Sequence, residues 1–289
     1  MFVVTGATGN VGRELVRSFA ADGARVTATS RGITADQVPD GVRPVRADLT
    51  DAGSLREAFE GADALFLQSG GPSAHLIDPQ EIVATAKAAG VTRIVLLSSQ
   101  GVVTRPDSAS HGVVARAVED AVRESDAHWT ILRPGGFHSN SLAWAGAVRS
   151  ARTVAAPFGD VGLPLIDPAD IAEVAAAVLR DGGPGGRVIE LTGPALVTPR
   201  EQAGAIGAAL GEPVRFVDLP RVEAREQMLR FMPEEVVETT LGILGEPVEA
   251  ELRAGLGVQD VLGRPPRSFA DWARRHADLF RGAGTGTGA

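Results

Sequence analysis

The sequence predicts an α/β fold: a doubly wound parallel sheet carrying a small, mostly helical C-terminal cap. Three observations support this. Short apolar runs rich in β-branched residues alternate with alanine-rich helical stretches from residue 2 to about residue 134. A glycine-rich turn separates the first such run from the first helix. After Pro134 the alternation loosens, and residues 221–257 carry only a helical pattern, broken at Pro233 and Pro247.

Strands are expected at Phe2–Thr5, Arg25–Thr29, Arg43–Arg46, Ala64–Leu67, Arg93–Ser98 and Thr130–Arg133. Most are continuous apolar runs without polar alternation, the pattern of parallel strands buried on both faces. Helices are expected near Val11–Asp22, Ala52–Glu60, Pro79–Ala89 and Val113–Ser125. A βαβα succession of this kind builds a sheet with helices on both faces.

Further along, Asp167-Pro168 reads as an N-cap followed by proline at the first helical position, opening a helix through Leu179. Arg187–Leu191 and Val214–Val217 read as strands. Thr198 with Glu201 three residues later is a capping box, opening a helix to about Leu210. Ser268–Phe280 reads as an amphipathic closing helix. The expected organisation is a nucleotide-binding domain over residues 1–150. Residues 151–281 supply the remaining sheet elements and a cap, with a helical lid at about 221–257. A disordered glycine- and threonine-rich tail is expected over 282–289.

Composition narrows the function classes. The chain of 289 residues has a formal net charge of −8, which argues against a nucleic-acid partner. No apolar run approaches the roughly 20 residues of a membrane span. Met1 leads directly into the first strand, so no leader segment and a cytoplasmic location are expected. There is no cysteine, which removes thiolate nucleophiles and thiolate metal sites. The five histidines show no ligand spacing, so no metal is expected. There is also no tyrosine, and Lys87 is the only lysine.

The segment Thr5-Gly6-Ala7-Thr8-Gly9-Asn10-Val11-Gly12 places three glycines at Gly-x-x-Gly-x-x-Gly between a strand and a helix. Such a turn lets backbone N–H groups approach a pyrophosphate, and the helix N-terminus adds its positive dipole end. Gly6, Thr8, Gly9, Asn10, Val11 and Gly12 are therefore expected to bind a dinucleotide in a Rossmann-type domain. At the end of the second strand, where NAD-binding chains place an acid for the ribose 2′-hydroxyl, this chain has Ser30-Arg31. A guanidinium there favours a 2′-phosphate, so the expected cofactor is NADP(H).

Several segments together resemble the NmrA-like atypical short-chain dehydrogenase/reductases, including their quinone-reductase-like members. They are the opening Thr-Gly-Ala-Thr-Gly-Asn-Val-Gly, Asp48-Leu49 after the third strand, and Ser98-Ser99-Gln100-Gly101 after the fifth. Leu132-Arg133-Pro134-Gly135-Gly136-Phe137 with Asn140, and the closing Arg264–Trp272 segment, extend the likeness to nearly the whole chain. The resemblance implies that Asp48 and Leu49 line the adenine. It likewise implies that Gln68, Ser69 and Gly70 pass the ribose and pyrophosphate. Ser98, Pro134, Gly135, Gly136, Phe137 and Asn140 would lie by the nicotinamide side.

The wider family uses a serine and a Tyr-x-x-x-Lys pair, with a glutamate often four residues beyond the lysine. Taking Glu119 as that glutamate puts Ala115 at the lysine position, His111 at the tyrosine position and Ser99 at the serine position. His111 is thus a candidate proton donor, Ser99 a candidate hydrogen-bond donor to a developing oxyanion, and His138 a second candidate acid. Alternatively no side chain is the acid, and the substrate or a water takes that part. Gln100, Met228, Phe231 and Met232 are candidate substrate residues, methionines being suited to irregular apolar ligands. The expected function is NADPH-dependent reduction of a ketone or quinone, with an apolar aromatic or polyketide-like small molecule as substrate. A non-catalytic NADP sensor with a protein partner is the alternative, and an isomerase or lyase a third. The sequence says nothing of oligomeric state.

Overall fold

The computed structural model describes residues 1–71, 73–181 and 185–282. All but the first residue of the expected tail therefore lies outside the described residues. The chain divides into two compact units that interleave in sequence. The first comprises Met1–Gly135, Pro168–Leu191 and Leu256–Pro265; the second comprises Gly136–Asp167, Thr192–Gly255 and the chain from Pro266 onward. The chain thus leaves the first unit at Gly135, ahead of the boundary drawn near residue 150, and returns to it twice.

The first unit holds β1 (Phe2–Thr5), β2 (Val26–Ser30), β3 (Arg43–Arg46), β4 (Ala64–Gln68), β5 (Arg93–Leu97) and β6 (His128–Pro134). After the second unit's β7 (Thr153–Ala156) it adds β8 (Arg187–Leu191). These seven strands of the first unit form one parallel sheet in the order β3-β2-β1-β4-β5-β6-β8. The order reverses direction between β1 and β4, the place where open α/β sheets bind ligands. The first return of the chain to this unit brings β8, which pairs with β6 from Thr130↔Arg187 to Pro134↔Leu191.

Successive residues of a strand point to opposite faces, and both faces here are covered. Val3, Leu65, Leu67, Ile94, Leu96 and Ile131 form one core with helices at Arg56–Phe59, Pro79–Ala88 and Val114–Arg123. On the opposite face the helices Asn10–Ala21 and Pro168–Asp181 pack together and onto the sheet. Phe19, Phe59, Phe66 and Leu65 are fully buried, each worth roughly 1.5–3 kcal/mol of apolar transfer. Among the described residues no helix is long and apolar enough to cross a membrane.

The second unit pairs β7 with β9 (Arg215–Asp218) in a two-stranded parallel sheet. The Thr198 capping box forms as read: the hydroxyl accepts from the Glu201 N–H at 3.1 Å, and the Thr198 N–H donates to Glu201 Oε2 at 2.8 Å. Residues 221–257 contain the helices Arg221–Met228 and Glu234–Gly245, separated at Pro233. Their core is small: Ala224, Val237 and Leu241, with Phe158, Leu219, Met228 and Met232 packed against it.

Candidate functional site: a cleft at the sheet switch point

At the carboxyl ends of β1, β2 and β4 lies a cleft of about 440 Å³. Its floor is the glycine turn. Gly6 has φ +61°, a left-handed conformation that glycine adopts without a side-chain penalty. The Gly9 N–H donates to the Gly6 carbonyl at 2.9 Å and closes the turn. A Cβ on Gly12 would lie 2.8 Å from the Gly6 carbonyl carbon, so only glycine lets the helix approach this closely. The helix Asn10–Ala21 is capped by Gly9, which brings no side-chain oxygen to its first turn. That end, with its positive dipole, is left to an anion.

The cleft gathers many of the residues read from the sequence: Gly6, Thr8 and Gly9 from the turn, Ser30 and Arg31 after β2, Asp48 and Leu49 after β3, and Gln68, Ser69 and Gly70 at and beyond the end of β4. Thr5 links the two strands that flank the switch point. Its hydroxyl accepts from the Gln68 N–H at 2.7 Å and donates to the Phe66 carbonyl at 3.2 Å. The Gln68 side chain lies over Gly6, where an added Cβ would come within 2.9 Å of its Oε1. That Oε1 is buried without a hydrogen-bond partner. Buried polar atoms are nearly always paired, so an orphaned amide oxygen beside the glycine turn fits a ligand group that donates, such as a ribose hydroxyl. The turn, the uncapped helix end and the guanidinium of Arg31 together fit the phosphates of a dinucleotide, and the Gln68 oxygen fits one of its hydroxyls.

Asp48 keeps its charge in this cleft. The backbone N–H of Thr50, then its hydroxyl and the nearby Arg31 guanidinium, hold the carboxyl below the usual carboxylate range. Sequence reasoning missed Thr29, Gly32, Thr50, Ser73, Ala74 and Ile77, which also line the cleft. The first three adjoin residues already singled out, so proximity to a strand end was the available signal. Ser73, Ala74 and Ile77 lie in a segment without periodicity, and nothing local marks them.

Other residues read from the sequence lie in the same unit but are not part of this lining. Val11 is 1 % exposed at the helix start. The Ser98 hydroxyl is directed inward and donates to Glu119 Oε1 at 2.6 Å. Ser99 Oγ accepts from the Gly101 N–H at 3.0 Å, and the Gln100 N–H donates to the Pro134 carbonyl at 3.0 Å. Gly135 donates to Leu191 at 3.0 Å.

Glu119 is the centre of a buried ionic cluster that joins three elements. It is fully buried, and besides Ser98 it accepts from Arg123 Nη2 at 2.7 Å and from Arg133 Nε and Nη2 at 2.8 and 2.6 Å. Burial pushes its carboxyl up, but the bonds from Arg133 and Ser98 and the charges of both arginines outweigh this and hold it below the usual range. The cluster fixes the ends of β5 and β6 to the helix Val114–Arg123.

That helix is preceded by a π turn, Ala109–Val113, which carries His111. The cause is packing. A Cβ on Gly112 would lie 2.6 Å from the Pro106 carbonyl oxygen, and one on Gly101 would lie 2.6 Å from the His111 carbonyl oxygen. The turn is thus seated on the segment that follows Ser99 and Gln100. The half-exposed His111 ring has its Nδ1 2.6 Å from Ser110 Oγ.

In the second unit, the Gly136 carbonyl accepts from Ile166 at 2.8 Å, and Phe137 bridges to Ile166. Asn140 is exposed at its surface. His138 is 1 % exposed, edge-on to Phe269 at 5.2 Å and 6.3 Å from Trp272. This packing makes it part of an aromatic core rather than an accessible acid. Met228 and Met232 pack against the small core between the helices Arg221–Met228 and Glu234–Gly245, whereas Phe231 is 71 % exposed. Among the described residues there is no cluster of three or more His, Asp or Glu side chains placed to hold a metal.

Comparison with known proteins agrees with this geometry. A family of NAD(P)H-binding domains matches residues 6–182. The chain is 37% identical, over 97% of its length and 99% of the relative's, to the (4-alkanoyl-5-oxo-2,5-dihydrofuran-3-yl)methyl phosphate reductase of Streptomyces griseus subsp. griseus. It is 32% identical, over 98% of its length and 100% of the relative's, to the NAD(P)H azoreductase of Xenophilus azovorans. The fold is shared with the NADPH-dependent quinone oxidoreductase QOR2 from Escherichia coli in complex with NADPH, at a TM-score of 0.77 and 22% identity over 95% of this chain and 99% of that one. The fold is also shared with NmrA, a negative transcriptional regulator, at a TM-score of 0.70 and 20% identity. The chain belongs to the NAD(P)H-binding family and is an NAD(P)H-dependent oxidoreductase.

Proposed function

We propose that the protein reduces a small conjugated, electron-poor acceptor with NADPH, a quinone or a ketone conjugated to a carbon–carbon double bond, through an acceptor that delocalises the charge it receives. The observation that carries this reading is the absence of tyrosine from the chain, with His111 and Ala115 where the family's acid and its lysine would stand. An isolated ketone becomes a localised alkoxide and needs a strong acid beside it. A conjugated acceptor spreads the charge over several atoms and needs chiefly to be held in place. The names of the relatives support the reading: an azo group and an alkanoyl dihydrofuranone are both conjugated acceptors.

Bound NADPH supplies the hydride. The glycine turn and the N-terminus of the helix Asn10–Ala21 hold the pyrophosphate, Arg31 holds the ribose 2′-phosphate, and Asp48 faces the adenine. Ser99 donates a hydrogen bond to the oxygen on which charge develops. His111 holds a proton for that oxygen, its Nδ1 oriented by Ser110. The substrate is an apolar, aromatic or polyketide-like molecule.

The test is NADPH oxidation by the purified protein against quinones, azo dyes, alkanoyl dihydrofuranone phosphates and polycyclic ketones, with unconjugated ketones as controls. Turnover confined to conjugated acceptors is expected. Faster turnover of unconjugated ketones would overturn the reading, and no turnover on any acceptor would favour the non-catalytic sensor.

A further inference from the structure

We propose that Ser73 is a specificity-determining residue for NADPH: its hydroxyl completes, with Arg31, Ser30 and Thr8, a site for the phosphate monoester on the adenosine ribose. The proposal rests on the NADPH reading above and extends it to a residue outside the glycine turn and the end of β2.

Ser73 precedes the short helical turn Ala74–Leu76, in the position of an N-cap. A serine there ordinarily turns its oxygen back to accept from an N–H of the first turn. Here it makes no such bond. Its Oγ instead accepts from Arg31 Nη1 at 3.4 Å, across 42 residues of sequence. Arg31 follows β2 and Ser73 follows β4, and both strands flank β1. The contact therefore spans the cleft above the glycine turn, and both residues line it.

Beside this pair is a second one. Thr8 Oγ1 donates to Ser30 Oγ at 3.3 Å, again with both residues lining the cleft. Both contacts are longer than the usual 2.7–2.8 Å between hydroxyls or 2.7–2.9 Å of a charge-assisted bond. Such bonds exchange readily for better acceptors. Among the described residues Arg31 forms no ion pair, and the nearby Asp48 carboxylate is already engaged by Thr50. One guanidinium and three hydroxyls thus converge without an anion of their own. A phosphate monoester brings a charge of about −1.5 to −2 and three acceptor oxygens, which match that donor set. The bare 2′-hydroxyl of NADH brings neither.

The experiment measures Kd for NADPH and NADH by titration calorimetry on wild type, Ser73→Ala, Ser73→Thr, Arg31→Ala and the Ser73→Ala/Arg31→Ala double variant. Ser73 is half-buried on a surface turn, so these variants retain the fold. Ser73→Ala is expected to weaken NADPH by about tenfold, in line with loss of one hydrogen bond to a charged group. NADH affinity should stay within about twofold, and Ser73→Thr should restore NADPH affinity. In the Arg31→Ala background the further loss should be smaller than in wild type, because both residues hold one phosphate. Equal losses for NADPH and NADH, or no loss for NADPH while wild type prefers it, would overturn the role of Ser73. Equal affinity of the wild type for the two nucleotides would instead overturn the NADPH reading, and this proposal with it.

Discussion

Replacing Glu119 with glutamine removes one charge from a fully buried carboxylate, leaving Arg133, 11 % exposed, without its salt-bridge partner and Arg123, 30 % exposed, with Asp120 at 3.3 Å in its place. The carboxylate accepts four hydrogen bonds, from Ser98, Arg123 and twice from Arg133. Glutamine has one acceptor oxygen, and its NH₂ would face a guanidinium. Breaking a buried pair from one side costs about 3–5 kcal/mol, because the remaining charge stays desolvated. At about 2–4 °C per kcal/mol for chains of this size, Tm should fall by roughly 6–20 °C at pH 7. The sign of the pH dependence follows from the carboxyl being held below its usual range. A depressed carboxylate contributes its full stability above the unfolded pKa, about 4.3 for Glu, and loses it as pH falls through the folded pKa. The gap between wild type and variant should therefore narrow on going from pH 7 to about pH 3. Thermal unfolding followed by circular dichroism at both pH values is the assay. A Tm within 2 °C of wild type at pH 7, or a gap that widens in acid, would refute the reasoning.

Three further outcomes are expected. Arg31→Ala should weaken NADPH by about 1.5–3 kcal/mol, or roughly 10–150-fold, while leaving NADH nearly unchanged in the same titration; equal affinities before and after substitution would sink the assignment. Gly9→Val should abolish dinucleotide binding and preserve the circular dichroism spectrum, since its Cβ position lies 3.2 Å from the Gly6 carbonyl oxygen at the floor of the cleft; retained micromolar binding would contradict the placement. His111→Phe should lower kcat tenfold or less, because only one or two kcal/mol of barrier is at stake without a lysine partner; a thousandfold fall with unchanged cofactor affinity would make the histidine an indispensable acid.

The parts of the molecule legible in the sequence are those governed by local chemistry. Glycine spacing announced the Gly6–Gly12 turn because backbone approach and φ > 0 leave few alternatives to glycine. The capping box at Thr198 was legible for the same reason: both bonds are made within four residues. Strand β6 runs from His128 to Pro134, longer than its apolar core suggests, because β5 and β8 pair with it on both sides and extend the ladder. Strand β7 was not foreseen. It has four residues, two of them alanine, and its partner β9 lies about sixty residues further on. Glu119 was singled out only as the glutamate beyond the family's Tyr–Lys positions, and no local signal marked it as buried. Its burial depends on Arg133, fourteen residues away on another element. The π turn at His111 is equally tertiary in origin, imposed by the close seating of Gly112 on Arg105 and Pro106.

That seating bears on the missing acid. A Tyr–Lys pair works when two side chains four residues apart face one substrate from a regular helix. Here the first of those positions sits in the π turn, whose bonds run from Gly112 and Val113 N–H back to the Ser108 carbonyl, whereas the second, Ala115, is already in α-helix. The insertion changes the angular offset between the two positions, so restoring the residue types alone would not restore their geometry. Ser108 reinforces the turn, its hydroxyl accepting from the His111 N–H at 3.2 Å. Glu119, one helical turn beyond Ala115, keeps its place against Arg133 and so anchors the end of the helix that remains regular. The double substitution His111→Tyr/Ala115→Lys should consequently give no more than a fewfold gain on unconjugated ketones. A gain of a hundredfold or more would mean that the turn tolerates the family's geometry, and that the lost acid is not what selects a conjugated acceptor.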